Sequence, residues 1–436
     1  MVTVRELSLM TIEAVLKDGA YSNLKMNEML QTYPLNPADR GLYTELVYGT
    51  IKRKLTLDYY LKPFVKTKIK GWVRRLLWMS LYQFLYLDKV PTHALINEAV
   101  NIAKKRGGAQ TGNTVNAILR QMTSQPLPDI TAIKKQPERL SIQYSIPTWI
   151  IKHWLTHFGA DTTEAIAANL LLPGTQTVRV NRTQITVDEA IEQLRAEGFD
   201  VQSDTHIDVC LHVSGHGVMT SELFQKGLIS IQDKSSMFVA EYMELQPGDA
   251  VLDSCSAPGG KACHMAEILN DQGTVLATDV HAHKIQLIDH NIRKLHLTGI
   301  RAMQHDATQP YDQQFDKVLL DAPCSGLGVL RHKPEIKYVI TPQDVKGLVD
   351  LQLRIIDNVS KHLKAGGTMV YSTCTIEQLE NDNVIYTFLK SHPDFEFDPI
   401  EDPRTHEPVK TLQLLPQDMH ADGFFITRVR KKGQTI

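Results

Sequence analysis

At 436 residues, with 42% apolar and 22% charged side chains, the chain is longer than one comfortable core and predicts two or three domains, while a composition near the soluble globular average excludes disorder and a fibre. No stretch is apolar for long enough to span a bilayer, and the N-terminus "MVTVRELSLMTIEAVLKDG" breaks its apolar residues with Arg5, Glu6, Glu13, Lys17 and Asp18, unlike a signal peptide; a cytoplasmic protein with no membrane partner is expected. The net charge of -2 hides an asymmetry, because residues 1–120 hold 18 Lys or Arg against 9 Asp or Glu.

Residues 1–125 read as a helical bundle. "RELSLMTIEAVLKDG", "LYTELVYGTIKRKLTLDYYLKPF", "VRRLLWMSLYQFLYL" and "HALINEAVNIAKKRG" all carry apolar residues at three- and four-residue spacing. Its positive charges cluster in "KRK" at 52–54, "KPFVKTKIKGWVRR" at 62–75 and "KKR" at 104–106. Such clusters are an electrostatic footprint for phosphate backbones, although each one alone also suits a solvated helix face. Proline punctuation over 126–147 predicts a linker. The mixed pattern of 148–230 predicts a small α+β module, and from 231 onward strands alternate with helices to the end at 436. Alternation of that kind implies an α/β Rossmann-like domain, a mostly parallel doubly wound sheet that holds its ligand beyond the carboxyl ends of the strands. The predicted helix "TPQDVKGLVDLQLRIIDNVSKHLKAGG" starts at Thr341, Pro342 and Asp344 and ends at Gly366 and Gly367.

The strand ends carry acids. Asp253 precedes the small-residue turn "SCSAPGGKA", Asp279 closes the second strand 20 residues after Gly259, Asp306 closes the third and Asp321 the fourth. An acid at that distance commonly meets ribose hydroxyls. With no P-loop and no G-x-G-x-x-G, acids around the pocket suit a positively charged nucleoside, and S-adenosylmethionine fits. Five cysteines, none before Cys210 and none in C-x-x-C spacing, argue against a disulfide framework and a zinc site, so no metal is expected. Cys324 in "DAPCSG" and Cys374 in "YSTCT" stand just past two strands, where a thiol can meet a ligand.

"SCSAPGGKA" at 254–262, "DAPCSGLGVLRHKPEIKY" at 321–338 and "YSTCT" at 371–375 resemble, in the same order, three signature motifs of the RNA cytosine-5 methyltransferases. "ISIQDKSSM" at 229–237 resembles the opening of that family's catalytic domain, and the basic helical domain resembles the NusB-like RNA-binding domain of its RsmB (Sun) branch, which methylates small-subunit ribosomal RNA. The resemblance implies that Cys255, Ser256, Ala257, Pro258, Gly259, Gly260 and Lys261 surround the methionine end of S-adenosylmethionine, that Asp279 binds its ribose and that Asp306 lies by its adenine. It places Asp321 where cofactor meets base, and it counts Cys374, Cys324, Asp321 and Lys261 as the catalytic group. Ribosomal RNA is the implied partner, with Lys52, Arg53, Lys54, Arg331 and Lys333 as candidate phosphate contacts and a monomer as the expected state. Cys255-Ser256-Ala257 departs from the family's usual Cys-Ala-Ala, and His305 stands before Asp306 where glycine is common; Cys210 and Cys263 match no motif and are assigned to packing.

The chemistry accounts for the two motif cysteines independently. Carbon 5 of cytosine is a poor nucleophile until a thiolate adds to carbon 6, and a base must later remove the carbon 5 proton so that the thiolate can leave. The Pro-Cys dipeptide would nominate Cys324 as nucleophile, as in DNA methyltransferases; the RNA family's pattern nominates Cys374, with Cys324 assisting release. A dehydrogenase lacks its glycine fingerprint here, an amino-group methyltransferase would carry Pro-Pro and an aromatic residue in place of "DAPC", and a non-catalytic assembly factor would have no use for either cysteine. Another RNA, such as tRNA, is the alternative substrate.

Overall fold

Apolar residues three and four positions apart do wind into helices, Val4–Asp18, Ser22–Thr32, Pro37–Lys52, Lys54–Leu61, Gly71–Tyr86 and Thr92–Ser124, in a computed structural model that describes residues 2–174, 176–215 and 217–433. A capping box opens the first helix: the Thr3 hydroxyl accepts from Glu6 N, and the Glu6 carboxylate accepts from Thr3 N, so two donors that a helix start leaves unpaired are satisfied. Leu7, Ile12, Leu46, Ile51, Leu76 and Met79 are buried in the core. Close packing restricts Gly49 to glycine, because a Cβ there would lie 2.0 Å from the Tyr82 ring.

The chain divides into two units, Met1–Pro173 with Leu330–Ile340, and Gly174–Val329 with Thr341–Ile436. The first unit also contains helices Gln136–Tyr144 and Thr148–Asn169. The stretch 126–147, expected to be a linker, therefore carries a helix of its own. Pro137 stands in the first turn of that helix, where a missing N–H costs no hydrogen bond and the fixed φ favours the helix. Leu330–Ile340 follows "DAPCSGLGV" in sequence yet is held by the helical unit. Glu335 accepts from Ser22 N at 2.9 Å and Ser22 Oγ at 2.8 Å, Lys337 Nζ donates to Lys52 O at 2.9 Å, and Tyr338 Oη donates to Ile51 O at 2.8 Å.

In the second unit, strands Asp200–Ser203, Cys210–Ser214, Thr177–Val180 and Ile229–Ile231 form, in that order, an antiparallel sheet. A larger mixed sheet follows. Its order among the described residues is Phe395–Phe397, Phe424–Lys431, Leu363–Thr373, Phe315–Asp321, Ala250–Asp253, Thr274–Asp279 and Ile300–Gln304, with Thr411–Leu414 also paired to Phe424–Lys431. The five strands from Leu363–Thr373 to Ile300–Gln304 are parallel, and Phe424–Lys431 joins them antiparallel. Ala250–Asp253 lies between Phe315–Asp321 and Thr274–Asp279; the chain order reverses there, which is the switch point at which doubly wound sheets bind ligands. Gly366 and Gly367 do not end the long helix, which stops at Lys361. They lie inside strand Leu363–Thr373, where the pairing register shifts between Phe315 and Lys317, and Gly366 takes a φ of 79°.

Candidate active site

Beyond the carboxyl ends of these strands lies a cavity of about 510 Å³ whose walls include Asp279, Asp306, Asp321, Cys255, Cys324 and Cys374. The first turn, after Asp253, passes through Pro258 to Gly259, whose φ of 99° favours glycine and leads straight into helix Gly260–Leu269. A Cβ at Gly259 would also press on Ile288 Cγ2 at 3.1 Å. Asp253 is fully buried, and burial, followed by the nearby charge of Asp321, pushes its carboxyl up to about 7. A folded-state value above the unfolded one gives stability that is complete below about 4 and lost as pH rises through 7. In the absence of cofactor, Asp253→Asn is therefore expected to melt progressively higher relative to the parent as the pH is taken from 4 to 8; a pH-independent difference would show that the carboxyl does not titrate there.

Lys261, in the first turn of the same helix, donates from Nζ to Asp321 Oδ2 at 2.6 Å, and the other oxygen of Asp321 accepts from Ser372 Oγ at 2.8 Å. Burial opposes the charge of Lys261, but the Asp321 charge and hydrogen bond more than offset it, so the ammonium is held above its ordinary value. Asp279 accepts from His281 N at 3.1 Å and Lys284 Nζ at 3.4 Å. Asp306 accepts from Thr308 N at 2.9 Å and Oγ1 at 2.8 Å, bonds that hold its carboxyl below the usual range. Burial, with Asp253 next, pushes the Cys255 thiol well up.

Strands Phe315–Asp321 and Leu363–Thr373 are neighbours, and the loops that leave them bring Cys324 Sγ to 3.3 Å from Cys374 Sγ. The hydrogen bond to Cys374 and then burial raise the Cys324 thiol well above its ordinary value. Either sulfur can donate in that contact. Gly328 N donates to Cys374 O at 3.0 Å, and a Cβ at Gly328 would collide with Gly423 O at 1.9 Å, so the "SGLG" loop passes only as glycine.

Sequence reasoning missed Lys284, Leu351 and Arg354, which also line the cavity. Leu351 and Arg354 sit on a helix whose spacing reads as ordinary amphipathic packing. It missed Arg179 as well, which is 1% exposed. Arg179 Nε and Nη2 donate to the two oxygens of Glu267 at 2.8 and 2.7 Å, and Nη1 donates to Gly260 O at 2.9 Å and to Gln232 Oε1. The small antiparallel sheet is thereby tied to the turn at Gly259–Gly260. Among the basic residues expected on RNA, Arg331 is 6% exposed and Lys333 Nζ lies 5.9 Å from the Tyr21 ring centre. In the "KRK" cluster, Lys52 Nζ donates to Leu172 O, Arg53 stacks on Tyr86 and Lys54 on Tyr338.

The cavity fits S-adenosylmethionine by its donor set: a turn whose Gly259 takes a positive φ, the strand-end carboxylate of Asp279, and further acids for a cationic ligand. Among the described residues, no helix is long and apolar enough to cross a membrane. Residues 240–430 match the model of the 16S rRNA methyltransferase RsmB/F family, residues 2–124 that of the NusB family, and residues 146–220 the RsmF/B-like ferredoxin-like domain. The probable ribosomal RNA small subunit methyltransferase B of Bacillus subtilis is 41% identical over 99% of both chains. The crystal structure of PH0851 superposes with a TM-score of 0.84 over 98% of this chain and 97% of its own, at 24% identity, and that of NSun6 from Pyrococcus horikoshii with SFG superposes with a TM-score of 0.60 over 65% of this chain and 98% of its own, at 21% identity. The chain belongs to the RsmB/F family of ribosomal RNA methyltransferases.

Proposed function

We propose that this methyltransferase modifies carbon 5 of a cytosine in small-subunit ribosomal RNA, through a covalent bond between Cys374 and carbon 6 of the base. The observation that carries the proposal is the 3.3 Å approach of two thiols on the wall of the cavity, since neither a methylation of an exocyclic amine nor a mere RNA-binding role has any use for a cysteine pair. The Lys261 ammonium, close enough to Cys374 for a thiolate there to raise its basicity, favours the ionised nucleophile. The thiolate adds to carbon 6 and the electron pair of the 5,6 double bond makes carbon 5 nucleophilic. S-adenosylmethionine, when bound, supplies an electrophilic methyl group to that carbon. Asp321, fixed between Lys261 and Ser372, orients the base. Cys324, once its own proton has passed to solvent, takes the proton left on carbon 5, and elimination breaks the Cys374–carbon 6 bond.

Nucleoside mass spectrometry of small-subunit RNA treated with the purified protein tests this: 5-methylcytidine is expected, and N4-methylcytidine or a methylated purine would overturn it. A target inside a helix must be unstacked, so a loop, bulge or assembly intermediate is the substrate expected to work best. The basic clusters of residues 1–120 serve its phosphates in this reading. Asp279→Ala should weaken S-adenosylmethionine binding by about 1.5 to 3 kcal/mol, the worth of a hydrogen bond to a charged acceptor, with folding retained. Calorimetry that finds parental affinity would remove Asp279 from the ribose.

A further inference from the structure

Beneath the cysteine pair lies a set of buried polar groups that the proposed chemistry does not use. Glu380, fully buried, accepts through Oε1 from Ser325 N at 2.8 Å and from Gln352 Nε2 at 3.1 Å, and Gln352 Nε2 also donates to Pro323 O at 2.8 Å. The residues before and after Cys324 are therefore anchored on one carboxylate and one amide. The Ser325 and Thr375 hydroxyls share a hydrogen bond of 2.8 Å, which joins the residue after one cysteine to the residue after the other. Cys374 has its own anchor in Asn381, whose Nδ2 donates to the carbonyl of Thr375 at 3.1 Å and whose Oδ1 accepts from Thr373 Oγ1 at 2.6 Å, while Gly328 N, in the Cys324 loop, donates to Cys374 O at 3.0 Å.

A buried carboxylate is costly unless something specific holds it there, and burial pushes Glu380 up to about 7. An apolar side chain would fill the space at less cost, so the carboxylate's place is explained by what it fixes. We infer that Glu380 is a positioning residue that holds the Cys324 loop at thiol contact with Cys374, and that its loss delays release of the methylated base while leaving attack on the base intact. The asymmetry of the anchors gives this outcome: without Glu380 the Cys324 loop loses its carboxylate acceptor, whereas the Cys374 strand end keeps Asn381. The inference rests on the roles proposed above for the two cysteines.

Two readouts separate it from those roles. The first needs no RNA. Diamide removes two electrons and two protons from a pair of thiols, joining the sulfurs and becoming a hydrazine, and the reaction is fast only when the thiols already meet. Peptide mapping should find the Cys324–Cys374 disulfide forming at least tenfold more slowly in Glu380→Ala than in the parent, and at nearly the parental rate in Glu380→Gln, whose amide oxygen can still accept from Ser325 N. An unchanged rate in a folded Glu380→Ala would overturn the inference whatever the enzyme does. The second readout is turnover: Glu380→Ala should lose at least tenfold in kcat with kcat/KM for RNA nearly unchanged and should accumulate protein–RNA adduct, and Glu380→Gln should restore both. Parental turnover without adduct would overturn the inference, as would a fall in kcat/KM as large as that in kcat that Gln does not rescue. If diamide cross-linking slows as expected while Cys324→Ala itself gives no adduct, the roles of the cysteines fail and the positioning of the loop stands.

Discussion

Cys324→Ala, incubated with S-adenosylmethionine and substrate RNA, is expected to accumulate a protein–RNA adduct that survives denaturing electrophoresis, while Cys374→Ala forms no adduct and no 5-methylcytosine. The difference follows from the roles proposed for the two thiols. In the proposed roles Cys374 supplies the attacking thiolate and Cys324, 3.3 Å away, acts later at carbon 5. Without Cys324 the attack and methyl transfer still proceed, and the carbon 5 proton then has no adjacent acceptor. The loss in Cys374→Ala should be several orders of magnitude, as when a covalent nucleophile is removed. An adduct trapped only in Cys374→Ala would exchange the two roles, and near-normal turnover in Cys324→Ala would reduce that thiol to a packing group.

Arg179→Leu should lower the unfolding free energy of the second unit by about 3 to 5 kcal/mol, because it leaves Glu267 charged and buried without its partner. Replacing Glu267 by Leu as well should recover most of that loss, since two apolar side chains of similar volume can substitute for a buried pair. Cofactor binding should not recover, as Gly260 O still lacks the guanidinium that holds the turn. Denaturant titration and calorimetry on the single and double variants check both halves. A cost below about 1 kcal/mol for Arg179→Leu would mean that Glu267 is solvated or protonated in the parent.

Asp253, Asp279, Asp321 and both motif cysteines were legible because each follows an apolar run whose termination is local, so chain order alone puts them at one edge of a parallel sheet. Apolar residues three and four positions apart likewise identified the helical first domain, and the alternation of strand and helix segments the last one. Arg179 was illegible for the opposite reason. It stands in "TVRV", a strand buried at every position, and its partners Gln232, Gly260 and Glu267 are far away in sequence. The antiparallel strand Phe424–Lys431 escaped notice because "FFITRVRK" alternates only in part and its partner Leu363–Thr373 comes much earlier. The helix Gln136–Tyr144 was hidden by a proline, a residue that ends one helix and begins the next with equal ease.

The segment Leu330–Ile340 makes the chain's apparent borders misleading for protein engineering. By sequence it belongs to the methyltransferase part, in the same run as "DAPCSG", yet Glu335, Lys337 and Tyr338 find their partners at Ser22, Ile51 and Lys52. Lys337 is 3% exposed, and burial, reinforced by the positive charges of Lys52, Arg53 and Lys54, holds its amine well below the ordinary value. A truncation that begins after residue 173 would strip this strap of every one of those acceptors and donors and leave the Tyr338 hydroxyl and the Lys337 amine without their backbone partners. Grafting the helical domain onto another methyltransferase would leave a matching vacancy in its own interior. The two halves can thus be exchanged among relatives only when Leu330–Ile340 travels with the helices, a cut-and-paste rule that the linear order of the chain conceals.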